Sequence, residues 1–310
     1  MRLAIRIGLV LVTAGTTLAT SSRPAQAPAD PWKSQPILDV SKSPQAKVHG
    51  VPIRAVRMGE GFWAGRRRVN VEKSIPSLYQ LFETNGIIDN FRRVSGRKTV
   101  PRRGPLYTDS DVYKWMEAVA FVLQSEDRPE LRALFDRVAD EVLAVQEDSG
   151  YLNTWYQDDR KALRFTEMHR GHELYCLGHL LQAGIAYYRA TGNRRLLDGA
   201  IRFVDYVEAN FGPEKKPLLA GHPEIELALA ELYRVTGRQK YLDLAGYILR
   251  GDGERLKLTP AQMVYLFSGR PFTGRTKLEG HAVRAMYACS GATDYFLETG
   301  DQPYWDTLQT

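Results

Sequence analysis

The stretch Ile185-Ala-Tyr-Tyr-Arg-Ala-Thr-Gly-Asn-Arg-Arg-Leu-Leu-Asp198 returns as Leu229-Ala-Glu-Leu-Tyr-Arg-Val-Thr-Gly-Arg-Gln-Lys-Tyr-Leu-Asp243. In each copy an apolar helix stops at Thr-Gly and a second begins within three residues, glycine being the residue that ends a helix in a left-handed turn. The two Thr-Gly pairs, at Thr191 and Thr236, lie 45 residues apart, the length of one helical hairpin. A third, Thr299-Gly300, follows after 63 residues because Gly251–Gly274 is inserted. The copies also begin alike: Gly171-His172, Gly221-His222 and Gly280-His281 each stand where an apolar helix starts.

Working outward, helical periodicity covers residues 66–84, 109–126, 129–147, 171–190, 194–210, 223–236, 238–250, 259–268 and 279–298, and another helix starts at Pro303. The connections are short, so successive helices are antiparallel neighbours. An open solenoid would keep a constant period; the uneven spacing and the elaborated loops on one rim favour a closed ring. The expected fold is all-α, an α/α toroid of helical hairpins. Before it, Ile53-Arg-Ala-Val-Arg-Met58 reads as a short β-like segment with no visible partner strand.

The 310 residues allow one large domain or two small ones. Met1–Ala27 has Arg2 and Arg6, an apolar run from Ile7 to Ala14 and Ala25-Gln26-Ala27, the pattern of a secretory leader. The expected domains are that leader at 1–27, an exposed lead-in at 28–50 and a helical domain at 51–310. No later segment is long and apolar enough to span a bilayer, so the expected product is secreted or periplasmic. The formal charge of +6 includes three leader arginines; 39 basic residues against 36 acids remain, which points to no nucleic-acid partner. One cluster, Arg92, Arg93, Arg97, Lys98, Arg102 and Arg103, reads either as an anion-binding loop or, preferably, as a solvated surface. Cys176 and Cys289 are the two cysteines, either bridged or free and buried, and their spacing supports no zinc site.

His172-Glu-Leu-Tyr-Cys176 is one residue type from the HExxH zinc-protease helix, but the second ligand position is Cys176 and no further His-rich helix follows, so that reading is rejected. His179 reads as a core or channel-lining residue, and Glu224 and Glu226 as first-turn acids that suit the helix dipole. A repeated Gly-His at equivalent places in a ring brings His172, His222 and His281 to one end of it. A neutral imidazole offers one donor and one acceptor, which suits hydroxyl groups. Tyr107, Trp115, Tyr151, Trp155, Tyr156 and Tyr175 supply candidate faces for sugar stacking. A carbohydrate ligand is the expectation.

Five segments carry a more specific likeness: Asp109–Ala118, Gly150–Thr154, His172–Leu180, Gly221–Leu229 and Glu279–Tyr287. In order and spacing, with Gly61-Phe62-Trp63 before them, they resemble glycoside hydrolase family 127, the β-L-arabinofuranosidases, over Val51 to Thr310. The resemblance implies an (α/α)6 barrel joined to β-sandwich domains, which would give the segment at Ile53 its partners. It implies retaining hydrolysis of terminal β-L-arabinofuranosides or related plant-polysaccharide sugars. The partner is then a plant polysaccharide or glycoprotein glycan, with no membrane after leader cleavage.

It further implies a zinc-bound cysteine nucleophile, a glutamate acid/base, and sugar contacts at His172, His222 and His281. The acid/base and the zinc ligands, a glutamate and three cysteines, are implied to follow Thr310; Cys176 and Cys289 match none of them. No catalytic or metal-ligating residue is therefore expected within this chain. With about nine helices against a barrel's twelve, the expectation is a truncated catalytic domain missing further barrel helices and the β-sandwich. The rival is a non-catalytic helical-repeat protein that binds carbohydrate or peptide. It would end in a polar capping helix, whereas Gln302–Thr310 starts a helix with Tyr304, Trp305 and Leu308 expected to face outward.

Overall fold

The computed structural model describes residues 31–310, so the leader reading at Met1–Ala27 lies outside the described residues. The chain forms twelve α-helices among those residues. α1 (Phe62–Val69) passes through a π turn (Asn70–Ser74) into α2 (Ile75–Thr84), and the short α3 (Asp89–Val94) follows. Then come α4 (Asp109–Ser125), α5 (Pro129–Leu143), α6 (Glu173–Thr191), α7 (Arg195–Asn210), α8 (Ile225–Thr236) and α9 (Gln239–Arg250). α10 (Pro260–Leu266), α11 (Ala282–Thr299) and α12 (Gln302–Leu308) complete the order. The all-α toroid architecture read from the repeat is the observed one.

Helices α4, α6, α8 and α11 pack side by side as an inner layer, while α5, α7 and α9 pack behind them. The sequence explains the division. α6 is apolar almost all round and is buried almost all round, as an inner helix must be; α7 buries one stripe, and α9 leaves only Gln239, Asp243 and Arg250 exposed. The main core runs through Phe91, Met116, Phe135, Leu180, Phe203, Leu229 and Tyr241, and a smaller one joins Phe267, Phe272, Ala288 and Tyr304. Exposed apolar side chains concentrate on α1 and α2, at Phe62, Trp63, Leu78 and Leu81, and on α11, at Val283 and Met286.

The three Thr-Gly stops are built identically. Gly192, Gly237 and Gly300 take φ of 73°, 67° and 69°, and their N–H groups donate to Tyr188, Tyr233 and Phe296 carbonyls. Each threonine hydroxyl donates to the carbonyl four residues back, at Tyr187, Leu232 and Tyr295, and accepts from the N–H two residues on, at Asn193, Arg238 and Asp301. At this end Arg234 reaches Glu231, Asp294 and Glu298, and Arg189 reaches Glu231 at 2.6 Å, tying α6, α8 and α11 together by charge. The lead-in crosses the same end, where Arg189 donates to the Ile37 carbonyl and the Gln45 N–H to Leu297.

Three expectations need correction. Ile53–Met58 forms no strand: Ile53–Ala55 is a 3-10 turn, and no strand of any kind forms among the described residues. The physical reason is Arg54, whose guanidinium donates to the Gln124 and Leu123 carbonyls and so caps the end of α4, holding this segment against a helix. Tyr304 does not face outward; it is buried, its ring parallel to Phe272 and close to Tyr295. The arginine cluster lies at the surface, as preferred, but is more than solvated, four of its six charges being held by acids. Arg92 pairs with Glu83, Asp89 and Glu141, Arg93 with Asp158, Arg97 with Glu141 and Lys98 with Asp89.

Candidate functional site

The N-terminal ends of α6, α8 and α11 deliver His172, His222 and His281 to one rim. Their rings form a row, 5.7 Å between the centroids of His172 and His222 and 5.9 Å between those of His222 and His281. The sequence sets each position locally. His172 and His281 are the N-cap residues of α6 and α11, and the Gly221-His222-Pro223 turn leads into α8. Gly221 has no alternative, since a Cβ there would lie 1.9 Å from the Met168 carbonyl oxygen.

Hydrogen bonds fix how the rings present themselves. His172 Nδ1 lies 3.0 Å from the Arg170 carbonyl, and His222 Nδ1 lies 2.9 Å from the Pro223 carbonyl. A carbonyl only accepts, so both Nδ1 atoms carry hydrogen and both Nε2 atoms offer a lone pair. His281 is reversed: its Nδ1 accepts from the Arg284 N–H, leaving Nε2–H as a donor. The row therefore offers a ligand two acceptors and one donor. Burial, and the nearby Arg284 charge, hold His222 down to about 4 and push His172 below its ordinary value, so both rings are neutral at neutral pH.

Aromatic rings wall the row. Tyr175 lies 4.5 Å from His222 and 5.6 Å from His172, Tyr287 lies 5.9 Å from His222, Tyr107 lies 5.2 Å from His172 and Tyr265 lies 5.9 Å from His281. Lys114 sits over Tyr175 and the buried Arg284 over Tyr265. Nε and Nη1 of Arg284 have no hydrogen-bond partner among the described residues, so the row includes unspent donors. Of the aromatic candidates read from sequence, Tyr107 and Tyr175 belong here. Trp115 is core, its Nε1 donating to the Ile75 carbonyl, and Tyr151 is core, its hydroxyl donating to Glu173. Trp155 lies between the guanidinium groups of Arg102 and Arg160. Tyr287, Tyr265 and Arg284 were missed by sequence reading, although Arg284 and Tyr287 sit three and six residues after His281 on the facing side of one helix.

Beneath the row lie buried acids. Burial raises Glu117, Glu173 and Glu226 to about 7 and Glu224 well above the usual carboxylate range. Glu226 does cap its helix, accepting the Glu224 N–H at 2.9 Å. Glu224 makes no capping bond; its side chain turns into the core against His179, which is buried as expected but has neither ring nitrogen hydrogen-bonded.

Both cysteines are free. Cys176 is fully buried with its thiol pushed up by burial, far from thiolate character, and Cys289 is likewise raised. Among the described residues no three His, Cys, Asp or Glu side chains are placed to hold a metal ion. The donor set among the described residues does not fit the zinc implied by the resemblance. Among these residues, too, no helix is long and apolar enough to cross a membrane.

The site is thus a polar, aromatic-walled row at one rim of an α/α helical fold, the kind of concave lining in which small ligands bind. Residues 55–310 match the family described as Beta-L-arabinofuranosidase, GH127 catalytic domain. A non-reducing end β-L-arabinofuranosidase of Bifidobacterium longum subsp. longum is 34% identical over an alignment of 294 positions that covers 80% of this chain and 44% of that protein. The crystal structure of a GH127 β-L-arabinofuranosidase from Geobacillus stearothermophilus T6 superposes with a TM-score of 0.78 at 33% identity, covering 82% of this chain and 44% of that one. A second GH127 β-arabinofuranosidase structure gives 0.75 at 32% identity, over 83% and 42%. The chain belongs to glycoside hydrolase family 127. It spans less than half the length of these relatives.

Proposed function

We propose that this chain takes part in glycoside hydrolysis of terminal β-L-arabinofuranosides, or of related plant-polysaccharide sugars, and that His172, His222 and His281 grip the terminal sugar. The observation that carries the reading is the row itself: three imidazoles with assigned hydrogen positions, about 6 Å apart, facing one side between tyrosine walls. Two Nε2 acceptors and one Nε2–H donor, with Arg284 behind, can bind four polar atoms of a furanose while Tyr175 covers its apolar face. Hydrolysis, proposed to be retaining, also needs a proton donor and a nucleophile. Burial lowers the pKa of His172 and His222, which are spent on hydrogen bonding, and raises that of the Cys176 and Cys289 thiols, so neither set takes those roles. Export to the periplasm or medium, where plant glycans are met, is part of the same proposal and rests on the Met1–Ala27 pattern.

The test is calorimetric titration of the full chain with methyl β-L-arabinofuranoside, its α-anomer and methyl β-D-xylopyranoside. Saturable binding of the β-L-furanoside, at least about tenfold tighter than the other two, supports the reading. Equal affinity for all three, or none for any, contradicts it.

A further inference from the structure

Two residues beyond His222, the chain buries a carboxylic acid that no part of the sugar-gripping row uses. Glu224 is 1% exposed. Its side chain fills a notch in α6 left by Gly178: a Cβ at that glycine would stand 1.3 Å from Glu224 Oε2. Beside it, Glu224 Oε1 lies 3.5 Å from His179 Nδ1, and His179 in turn packs edge-on against Tyr175 at 4.5 Å and near Tyr287 at 6.1 Å. Those two tyrosines are the rings that flank His222. The Gly221–Glu224 turn is thus clamped at both ends, by the Met168 carbonyl against Gly221 and by α6 around the Glu224 carboxyl.

We propose that Glu224 is a positioning residue for His222: its carboxyl, seated in the Gly178 notch against His179, sets the angle at which the turn presents the His222 ring to a sugar. The proposal rests on the reading of the row as a sugar site and deepens it. A simple helix-capping role is excluded, because the Glu224 side chain makes no capping bond and the first turn is capped by Glu226. A surface ion pair is excluded by burial.

The groups that face the pair come from four helices of the inner layer. Glu117 and Lys114 approach from α4, Glu226 from α8, Tyr175 from α6 and Tyr287 from α11. Desolvation first, then Glu117 and Glu226, raises Glu224 well above the usual carboxylate range, while desolvation, with Lys114 and His222, lowers His179 to about 3. The contact is one of packing, 3.5 Å between Glu224 Oε1 and His179 Nδ1 with neither ring nitrogen hydrogen-bonded, so its shape is what matters. Glutamine has the same length and shape. Aspartate is one methylene shorter, leaves the notch part-filled and withdraws from His179.

The experiment is long-range proton–nitrogen NMR of the imidazoles in the full chain, whose six histidines give a resolvable set, with methyl β-L-arabinofuranoside as the probe. Wild type, Glu224→Gln, Glu224→Asp and Gly178→Ala are compared, each checked for its melting transition. In E224D and G178A the free-state His222 signals are expected to move, those of His172 and His281 to stay, and affinity to fall about tenfold, the scale of one misplaced hydrogen bond. E224Q is expected to keep the wild-type His222 signals and affinity within about twofold. Unmoved His222 signals in E224D overturn the proposal, as does an equal shift of all three rings, which is general loosening of the fold. Should the sugar move no imidazole in the wild type, the sugar reading fails, while the free-state His222 signals still decide the positioning role.

Discussion

His222 combines burial, a fixed tautomer and contact with four other rings of the site, so single-residue predictions belong there first. Its Nε2 lone pair accepts from a ligand hydroxyl only while the ring is neutral. With His222 held to about 4, sugar affinity is expected to be flat from pH 8 down to about 5 and to fall as the ring protonates below that. A midpoint near 6.5 in a titration of affinity against pH would mean an exposed, unperturbed imidazole and would contradict the site as described. His222→Ala should weaken binding about tenfold and His222→Gln less, read by calorimetry, because one neutral hydrogen bond contributes about 1 kcal/mol. The row was legible in the sequence because three Gly-His pairs recur in three copies of one unit. Glu224 was not. As a first-turn acid it has a sufficient local explanation, and only the notch at Gly178, 46 residues earlier in the chain, shows that the side chain turns inward.

At the scale of elements, the Thr-Gly stop does the repetitive work, and its cost of replacement is calculable. Gly237 has φ of 67° and nothing within 4 Å of the place a methyl group would take, so Gly237→Ala meets no clash and reports the left-handed backbone alone. The expected loss is about 1 kcal/mol, seen as a lower urea midpoint at unchanged slope, with Gly237→Asn losing less. A neutral Gly237→Ala would show that the cap is not holding α8 and α9 in register. Hairpin boundaries were legible because capping is local: threonine, glycine and the next N–H all lie within three residues. The β-like reading of Ile53–Met58 failed for the opposite reason. A strand exists only with a partner edge, and here Arg54 finds the carbonyls of α4 instead. Tyr304 likewise looked outward on its own short helix, yet Phe272, from the Gly251–Gly274 insertion, covers it.

Over the whole molecule, buried ionisable groups give stability a definite pH profile. Glu117, Glu173 and Glu226, raised to about 7, contribute stability that is complete below their ordinary 4.5 and is lost as pH rises through 7. His179 and His222, depressed to about 3 and 4, contribute stability that is complete above 6.5 and is lost as pH falls through those values. Glu83, Asp89 and Glu147, whose bonded Arg92, Lys98 and Arg164 partners draw them down against burial, add to the loss on the acid side. The melting temperature is therefore expected to peak near pH 4.5, to fall below it, and to decline from there to about pH 7 because three glutamates outnumber two histidines; a steady rise from pH 6.5 to 8 would contradict the burial of the three glutamates. The general architecture was legible from repeat length and connection length, since both are sums of local geometry. What lay under the rim was not, because the acids come from different helices and meet only when the inner layer closes.

The sugar-gripping role of the histidine row is decided by a crystal structure of the full chain soaked with methyl β-L-arabinofuranoside. A furanose ring is expected over Tyr175, with polar atoms within about 3 Å of the Nε2 atoms of His172, His222 and His281. A sugar bound elsewhere while that row stays empty at saturating concentration would contradict the role.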